Sequence, residues 1–343
     1  MKAGMLTGGG DCPALNAVIR AVTFKLENQG ASVVGFLDGW AGVLENRAMP
    51  LTRSNTARIL HLGGTVIGTS RTNPFKKPDQ DVPRLLATLR EQKLDALIAV
   101  GGDDTLGVAT RLFHEHHVNV VGVPKTIDND LSSTDFTFGF DSSVNVAMEA
   151  IDRLHTTADA HHRCIVVECM GRHAGWITTF AGLAGYADYI LIPERVTNTD
   201  QLCARIKQAK QRGQKYFIIA VAEGAKLDAG ALVAKATGVD AFGHERLGGV
   251  AEQLAGIIEK GTGVETRHVV LGHIQRGGSP SAFDRVLGTR YGHRAAELVL
   301  CGKFGRMVAL RGFDIVDVDL KEATGETKKV PMDFFAVAEE FFI

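Results

Sequence analysis

The chain has 343 residues, of which 45% are hydrophobic and 22% charged, so it is long enough for two globular domains of about 150 residues each. Its 38 Lys and Arg residues balance 39 Asp and Glu residues, and a net charge of -1 argues against general binding to nucleic acid or to anionic membranes. The lack of a long apolar run, a signal-peptide pattern and a C-x-x-C pair predicts a cytoplasmic protein without a membrane span, a disulfide scaffold or a structural zinc site.

Short runs rich in Val and Ile, most of which end at Gly or Asp, predict buried parallel strands along the chain. In chain order these runs lie at 3–7, 96–100, 118–121, 165–167, 217–221 and 268–271. Amphipathic stretches with a period of about 3.6 residues predict helices between them. The helices are expected at 13–29, 81–93, 105–117, 140–155, 199–212, 248–260 and 281–300, with Ser279 and Pro280 as the cap and first turn of the last one.

The alternation of strands and helices predicts an α/β fold with parallel sheets and helices on both faces. We expect two doubly wound parallel-sheet domains, the first formed by 1–140 with 256–310 and the second by 141–255. Residues 311–343 are expected to form a C-terminal tail that packs back on these domains. In such folds ligands bind at the carboxyl ends of the strands, where the glycine-rich turns of this sequence lie.

The first glycine-rich turn is 7–11 (TGGGD), which lies between a predicted strand and a predicted helix. Glycine lets the backbone approach a phosphate closely, and the N-terminus of a helix presents unpaired N–H groups to it. Gly9 and Gly10 are therefore candidates for binding a phosphoryl group. A simple tight turn between strand and helix is the alternative.

A second turn, 101–104 (GGDD), carries two adjacent carboxylates. These repel each other unless a cation or a hydrogen-bond donor lies nearby. A helix cap would explain one of them but not both. Asp103 is therefore a candidate to bind Mg²⁺ through water, as Mg²⁺ prefers.

A third turn, 124–130 (PKTIDND), places Lys125, Thr126, Asp128 and Asp130 close together after a predicted strand. A carboxylate here can accept a proton from an attacking hydroxyl, and the lysine can neutralise charge on a transferring phosphoryl group. The alternative is a polar turn capped by its Asp and Asn side chains.

Basic residues also lie beside strand ends and glycines in the second half of the chain. They are Arg163, Arg172, Arg267, His273 and Arg276. Arginine forks match phosphate oxygens, although each of these residues alone could be an ordinary surface residue. Together the clusters predict phosphoryl transfer to a sugar-sized phosphorylated acceptor with Mg²⁺. The sequence lacks a Walker A motif, the H-R-D and D-F-G motifs of kinases, and a G-x-G-x-x-G after the first strand. This argues against the common nucleotide-binding folds.

Five motifs occur in an order that resembles the 6-phosphofructokinase family: 8–11 (GGGD), 101–104, 124–130, 170–172 (MGR) and 272–278 (GHIQRGG). The resemblance spans residues 3 to about 310. It implies that the first domain binds the phosphoryl donor, that the second binds fructose 6-phosphate, and that Mg²⁺ is the cofactor. In this family the residues that match Arg163 and Arg267 come from a neighbouring subunit, which implies a homodimer or homotetramer with shared active sites.

The resemblance also implies a role for each matching residue. Asp128 would be the base for the C1 hydroxyl of fructose 6-phosphate, with Lys125, Thr126 and Arg172 completing the catalytic group. The donor would be bound by Gly9, Gly10, Arg71, Asp103, Asp104 and Lys125, and Asp103 would also act with Mg²⁺. The sugar phosphate would be bound by Thr126, Asp128, Asp130, Arg163, Met170, Gly171, Arg172, Glu223, Arg267, His273 and Arg276.

Positions 104 and 125 bear on the choice of donor. Members of the family that use ATP generally have Gly at both positions, whereas the pyrophosphate-dependent members resemble this chain. Asp104 adds bulk and negative charge where the α-phosphate of ATP would pass, and Lys125 adds positive charge suited to pyrophosphate. Desolvating an unpaired carboxylate against a phosphate is costly. The sequence therefore predicts reversible transfer from pyrophosphate to fructose 6-phosphate, giving fructose 1,6-bisphosphate and phosphate, in glycolysis and gluconeogenesis.

Three other interpretations are open at this point. The nearest is an ATP-dependent 6-phosphofructokinase in which the loop shifts to accept Asp104. A NAD or lipid kinase shares the G-G-D-[GD]-T turn but lacks the MGR and HIQRGGSP elements. A regulatory subunit that binds sugar phosphate without catalysis is disfavoured by intact Asp103, Asp128, Asp130 and Arg172.

Overall fold

The computed structural model describes residues 1–228, 248–322 and 325–343. Within these residues the strands are β1 (Lys2–Thr7), β2 (Ser32–Phe36), β3 (Ala48–Leu51), β4 (Ala96–Gly101), β5 (Val120–Pro124), β6 (Cys164–Cys169), β7 (Tyr189–Leu191), β8 (Phe217–Ala222), β9 (Thr266–Val270), β10 (Arg306–Arg311) and β11 (Asp314–Asp319). The helices are α1 (Leu15–Glu27), α2 (Trp40–Leu44), α3 (Arg53–Thr56), α4 (Pro78–Glu91), α5 (Asp103–His116), α6 (Phe140–His161), α7 (Trp176–Ala184), α8 (Thr199–Gln211), α9 (Val250–Thr262), α10 (Ala282–Leu300) and α11 (Met332–Glu339). None of the helices in these ranges combines the length and the apolar character that crossing a bilayer requires.

The larger sheet has the strand order β11-β10-β5-β4-β1-β2-β3 in the described residues. Its five inner strands run parallel, and β3 and β11 pair antiparallel at the two edges. Successive residues of β1 face opposite sides of the sheet, so Met5 packs in the cluster of α1 and α10 while Leu6 packs in that of α2, α4 and α5. The predicted α/β fold is confirmed, and the antiparallel edge strands are an addition to it.

The smaller sheet has the order β7-β8-β6-β9, and all its strand pairs are parallel. Alternation along β6 again divides the core, because Cys164 packs with α8 and α9 whereas Cys169 packs with α6 and α7. Both sheets are therefore covered on two faces, which explains why their inner strands read as continuous apolar runs.

The course of the chain between the sheets differs from the prediction in two places. The predicted return to the first domain at residue 256 comes too early, because β9 pairs with β6 in the smaller sheet and α10 is the element that packs on α1. The predicted tail also begins too early, because β10 and β11 form an edge of the larger sheet. The part that packs back on the domains lies within 325–343, where α11 packs on α7 and β7 and Lys328 contacts Trp176. Hydrogen bonds between strands decide which sheet β9, β10 and β11 belong to. The hydrophobic periodicity of the sequence does not indicate which strands pair.

The start of α10 is a further correction. Ser281, not Ser279 with Pro280, is the N-cap, and its Oγ accepts a hydrogen bond from the backbone N–H of Asp284 at 3.2 Å. Ser279 instead donates its hydroxyl to the carbonyl oxygen of His61 at 2.5 Å. The side chain of Ser279 thereby joins the turn before α10 to the 58–73 region beside the glycine-rich turn after β1.

Candidate active site

A cleft of about 680 Å³ lies where the carboxyl ends of the two sheets meet. Residues that follow β1, β4 and β5 line one part of it, and residues that follow β6, β8 and β9 line the rest. The lining residues are Gly9, Gly10, Arg71, Gly102, Asp103, Asp104, Thr105, Lys125, Thr126, Asp128, Asp130, Met170, Arg172, His173, Glu223, His273 and Arg276. The structure thus brings together residues from the separate sequence motifs.

The glycine-rich turn after β1 packs closely against the first turn of α5. A Cβ atom at Gly8 would lie 2.5 Å from Oγ1 of Thr105, and one at Gly101 would lie 2.3 Å from Cβ of the same residue. Thr105 itself is buried. Because glycine alone permits this approach, the two loops lie side by side at the edge of the sheet.

Lys125 lies directly after β5 and reaches the same turn. Its side chain is 4% exposed, and its Nζ donates to the carbonyl oxygen of Gly10 at 2.6 Å. Burial lowers the pKa of Lys125 to about 8, an effect that the nearby Cys12 and Asp11 oppose and the Arg276 guanidinium reinforces. A lysine with this pKa is mostly charged at pH 7, so it places a largely desolvated cation against the glycine-rich turn.

Carboxylates from two loops face one another across this part of the cleft. Asp103 and Asp104 form the first turn of α5, where the helix dipole favours negative charge. Burial raises the pKa of Asp130 to about 7, and the charges of Asp128 and Asp103 raise it further. The carboxylates are therefore close enough to repel one another, and a cation bound among them would relieve that repulsion.

The loop after β5 holds Asp128 in a defined orientation. Its backbone N–H donates to Oγ1 of Thr126 at 3.1 Å, and the carbonyl of Thr126 accepts from the hydroxyl of Thr137 at 2.7 Å. One carboxylate oxygen of Asp128 is buried and accepts no hydrogen bond from the described residues. A buried acceptor without a partner is an exception among folded proteins, and it is suited to receive a proton from a substrate.

The smaller sheet supplies Met170 and Arg172 after β6 and Glu223 after β8. Burial raises the pKa of Glu223 to about 7, and the charge of Asp128 raises it further while Arg172 lowers it. The backbone N–H of Met170 donates to Oε1 of the buried Gln275 at 3.4 Å. This contact fixes the turn after β6 against the segment that carries the HIQRGG motif.

Gly171, a predicted sugar contact, does not line the cleft. Its φ is 140°, and a Cβ atom there would lie 2.7 Å from the carbonyl oxygen of Ala174. The requirement for glycine at this position is therefore a backbone requirement of the turn that carries Arg172. A direct contact of Gly171 with substrate stays a prediction.

Arg163 and Arg267 also lie outside the cleft of this chain. Both pair with Glu265, Arg163 at 2.8 Å and Arg267 at 2.5 Å. Arg267 lies within β9, an edge strand of the smaller sheet, and Arg163 directly precedes the neighbouring strand β6.

Three lining residues, Gly102, Thr105 and His173, were not among the predicted site residues, although Gly102 belongs to the GGDD motif itself. Thr105 follows the GGDD motif directly, and the two glycines that it packs against are the signal that could have identified it. His173 follows the MGR motif, and no spacing or composition in the sequence distinguishes it from the other eleven histidines.

Comparison with known proteins places these residues in a family. The family profile described as Phosphofructokinase matches residues 2–299. The chain is 54% identical over 345 residues to a pyrophosphate–fructose 6-phosphate 1-phosphotransferase of Amycolatopsis methanolica, covering 100% of both chains. It is 50% identical over 344 residues to an ATP-dependent 6-phosphofructokinase of Mycobacterium tuberculosis (strain ATCC 25618 / H37Rv), again covering 100% of both.

The fold is also that of solved members of this group. A crystal structure of pyrophosphate-dependent phosphofructokinase from Marinobacter aquaeolei matches with a TM-score of 0.83 at 24% identity, over 97% of this chain and 86% of that one. The likeness in fold agrees with the profile match and with the two full-length relatives. The chain therefore belongs to the phosphofructokinase family.

Proposed function

We propose that this chain is a cytoplasmic phosphotransferase that moves a phosphoryl group reversibly from pyrophosphate to the C1 hydroxyl of fructose 6-phosphate. The products are fructose 1,6-bisphosphate and phosphate, and the reaction serves glycolysis and gluconeogenesis. The observation that carries the proposal is that Asp104 and Lys125 line the same cleft as Asp128. Names of relatives alone do not separate the donors, because pyrophosphate is named at 54% identity and ATP at 50%.

The donor side of the cleft favours a compact anion. Lys125 holds its ammonium against Gly10, next to the turn whose backbone a phosphate can approach. Asp104, half-buried in the first turn of α5, adds negative charge beside that turn. The α-phosphate of ATP, placed against this carboxylate, would be repelled by its charge and would lose hydration. Pyrophosphate has no third phosphate and therefore does not extend to Asp104.

The transfer step needs a base and a positioned acceptor. The C1 hydroxyl oxygen attacks one phosphorus of pyrophosphate, the bond from that phosphorus to the bridging oxygen breaks, and phosphate leaves. The hydroxyl proton passes to Asp128, whose buried carboxylate oxygen has no partner among the described residues. Arg172 and Glu223 support the proposal on the sugar side, since both line the cleft beside Asp128.

Mg²⁺ fits the carboxylates of this site. Magnesium commonly binds through one or two carboxylates together with water and substrate phosphates, and Asp103 with Asp130 offers that donor set. Burial, together with the charges of Asp128 and Asp103, raises the pKa of Asp130, and a cation would relieve the repulsion among these carboxylates. When bound, the ion would neutralise negative charge on the phosphates.

We further propose a homodimer or homotetramer in which Arg163 and Arg267 act on the active site of a neighbouring subunit. Both residues lie away from the cleft of their own chain, Arg267 within the edge strand β9 and Arg163 next to it at Glu265. Val270, Ile274 and Val286 are more than half exposed in the same part of the chain. An exposed strand edge with apolar side chains is suited to burial against another copy.

Initial rates of fructose 1,6-bisphosphate formation by the purified protein, with pyrophosphate or ATP at equal free Mg²⁺, test the proposal. We expect kcat/KM for pyrophosphate to exceed that for ATP at least about 100-fold, which is about 2.7 kcal/mol. The reverse reaction from fructose 1,6-bisphosphate and phosphate should release pyrophosphate. Turnover with ATP and none with pyrophosphate would establish the ATP-dependent alternative instead.

A further inference from the structure

Lys328, in the segment that leads to α11, packs against the loop between β5 and α6. Its Nζ donates to Oδ1 of Asn129 at 3.0 Å and to the carbonyl oxygens of Thr134 and Asp135, both at 2.8 Å. An ammonium has three N–H donors, so all three are used within this one loop. Lys328 is therefore the centre around which the loop folds.

These contacts fix the backbone on both sides of the catalytic candidates. Asn129 separates Asp128 from Asp130, is fully buried, and has a φ of 52°, which is uncommon for a residue other than glycine. The backbone N–H of Lys328 also donates to the carbonyl oxygen of Asp130 at 2.7 Å. The orientation of both carboxylates therefore depends on a residue that is about 200 positions away in the chain.

A second group of contacts joins the same segment to the sugar side of the cleft. The indole N–H of Trp176, which follows the turn after β6, donates to the carbonyl oxygen of Lys328 at 2.8 Å. The ammonium lies 5.2 Å from the centre of that indole ring. Two residues on, the N–H of Val330 donates to Glu194, which also accepts from the N–H of Gly175. The segment thus ties the turn after β6 to the loop after β5.

We propose that Lys328 is a positioning residue for phosphoryl transfer, holding the loop of Asp128 and Asp130 in register with the sugar-binding turn after β6. It does not line the cleft, so it acts through these two elements and not on the substrate. This inference rests on the proposed function, because the geometry it maintains is that between the base and the sugar. A displacement of about 1 Å between reacting groups can cost about 100-fold in rate.

The chemistry of the side chain supports a role beyond packing. Burial lowers the pKa of Lys328 to about 8, so its charge is held there at a cost that an aliphatic side chain would not incur. Removing the ammonium takes one donor from each of its three acceptors, after which Oδ1 of Asn129 keeps the N–H of Thr137 and the carbonyl of Asp135 keeps the long bond from the Asn129 amide. The loop is then free to turn these acceptors towards water, which would rotate the flanking carboxylates.

The test compares Lys328→Met, which keeps the length of the side chain, with Lys329→Met at the adjacent exposed position. For each protein, kcat and both KM values are measured together with the thermal midpoint and far-ultraviolet circular dichroism. We expect kcat of Lys328→Met to fall about 10- to 100-fold. KM for pyrophosphate should stay within about threefold, because Lys328 does not contact the turn after β1. Lys329→Met should match the unmodified protein.

A folded Lys328→Met protein with kcat within about twofold of the unmodified protein would overturn the proposal. So would a loss that appears equally in KM for pyrophosphate, because a general loosening would have that effect. If Lys328→Met does not fold, Lys328→Arg decides, since its charge is kept but its planar fork cannot reproduce three divergent bonds. We expect about a fivefold lower kcat with unchanged KM for pyrophosphate, and an unchanged kcat would overturn the proposal.

Failure of the proposed function would look different. The unmodified protein and Lys329→Met would then both turn over fructose 6-phosphate with ATP and not with pyrophosphate. The comparison of kcat between Lys328→Met and Lys329→Met is made with whichever donor the unmodified protein uses. The choice of donor and the role of Lys328 are therefore decided by separate measurements.

Discussion

Replacing Lys125 with Met removes a buried ammonium from the donor side of the cleft while keeping most of the volume of the side chain. Burial lowers the pKa of this lysine from 10.5 to about 8. At about 1.4 kcal/mol per pKa unit, the charged side chain destabilises the folded state by about 3 kcal/mol near pH 7. Losing the hydrogen bond to the carbonyl of Gly10 costs about 1–3 kcal/mol in the other direction. We therefore expect Lys125→Met to be at least as stable as the unmodified protein at pH 7.

The pH dependence of stability separates these two effects. Between pH 8 and pH 10.5 the unfolded chain keeps the proton on Lys125 while the folded protein has released it. The unfolded state then binds more protons, so the contribution of this lysine to native stability rises with pH. Lys125→Met lacks this titration. The unmodified protein should gain about 2–3 kcal/mol in free energy of unfolding relative to the variant between pH 7 and pH 10.

Urea denaturation followed by tryptophan fluorescence at pH 7, 8, 9 and 10 measures this difference, with Lys207→Met on the exposed face of α8 as the matched control. A difference between Lys125→Met and the unmodified protein that does not change with pH would refute the reasoning. Activity gives an independent check, because kcat/KM for pyrophosphate should fall at least about 100-fold in Lys125→Met at pH 7. In the unmodified protein the same quantity should decline as pH rises through about 8.

Three further predictions concern the base, the sugar site and helix packing. Asp128→Asn should lower kcat by about 10²–10⁴-fold while fructose 6-phosphate still binds in calorimetry, and near-normal turnover would exclude Asp128 as the base. Since the pKa of Glu223 is raised to about 7, fructose 6-phosphate affinity should fall as pH drops through 7, and Glu223→Gln should weaken that dependence, leaving the part that Asp130 contributes. A Cβ atom at Gly292 would lie 2.6 Å from the carbonyl oxygen of Val18, so Gly292→Ala should lower the free energy of unfolding by about 1–3 kcal/mol. A Cβ atom at Gly256 in α9 meets open space, so Gly256→Ala should raise the free energy of unfolding by about 0.5–1 kcal/mol. Equal effects of the two substitutions in chemical denaturation would contradict the close packing of α10 on α1.

The sequence predicts the composition of the cleft because its residues follow strands of parallel sheets. Carboxyl ends of such strands meet at one edge, so turns that are far apart in the chain converge in space. Gly10, Asp103, Asp128 and Arg172 come from four different turns, and all line the cleft. The six apolar runs predicted as buried strands all overlap strands, and five of these are buried on both faces, which leaves a signal that needs no partner to be recognised. The run 268–271 is the exception, because β9 is a largely exposed edge strand.

Features that depend on long-range pairing were not predictable in this way. The membership of β9 in the smaller sheet is decided by its register with β6, and no property of the run 268–271 specifies that neighbour. Lys328 lies in a stretch without a motif, and its contacts exist only because the chain returns to the loop after β5. The N-cap at Ser281 was misplaced by two residues because Ser279 and Pro280 offer an equally good local pattern.

The donor preference of the double variant Asp104→Gly with Lys125→Gly shows whether these two side chains select pyrophosphate over ATP. The quantity is the ratio of kcat/KM for pyrophosphate to kcat/KM for ATP, measured beside the unmodified protein and both single variants because neighbouring positions can couple. We expect the ratio to fall at least about 100-fold in the double variant, with weaker pyrophosphate use and detectable ATP use. A double variant that keeps the ratio of the unmodified protein, or an unmodified protein that uses ATP as readily as pyrophosphate, would contradict this role of the two side chains.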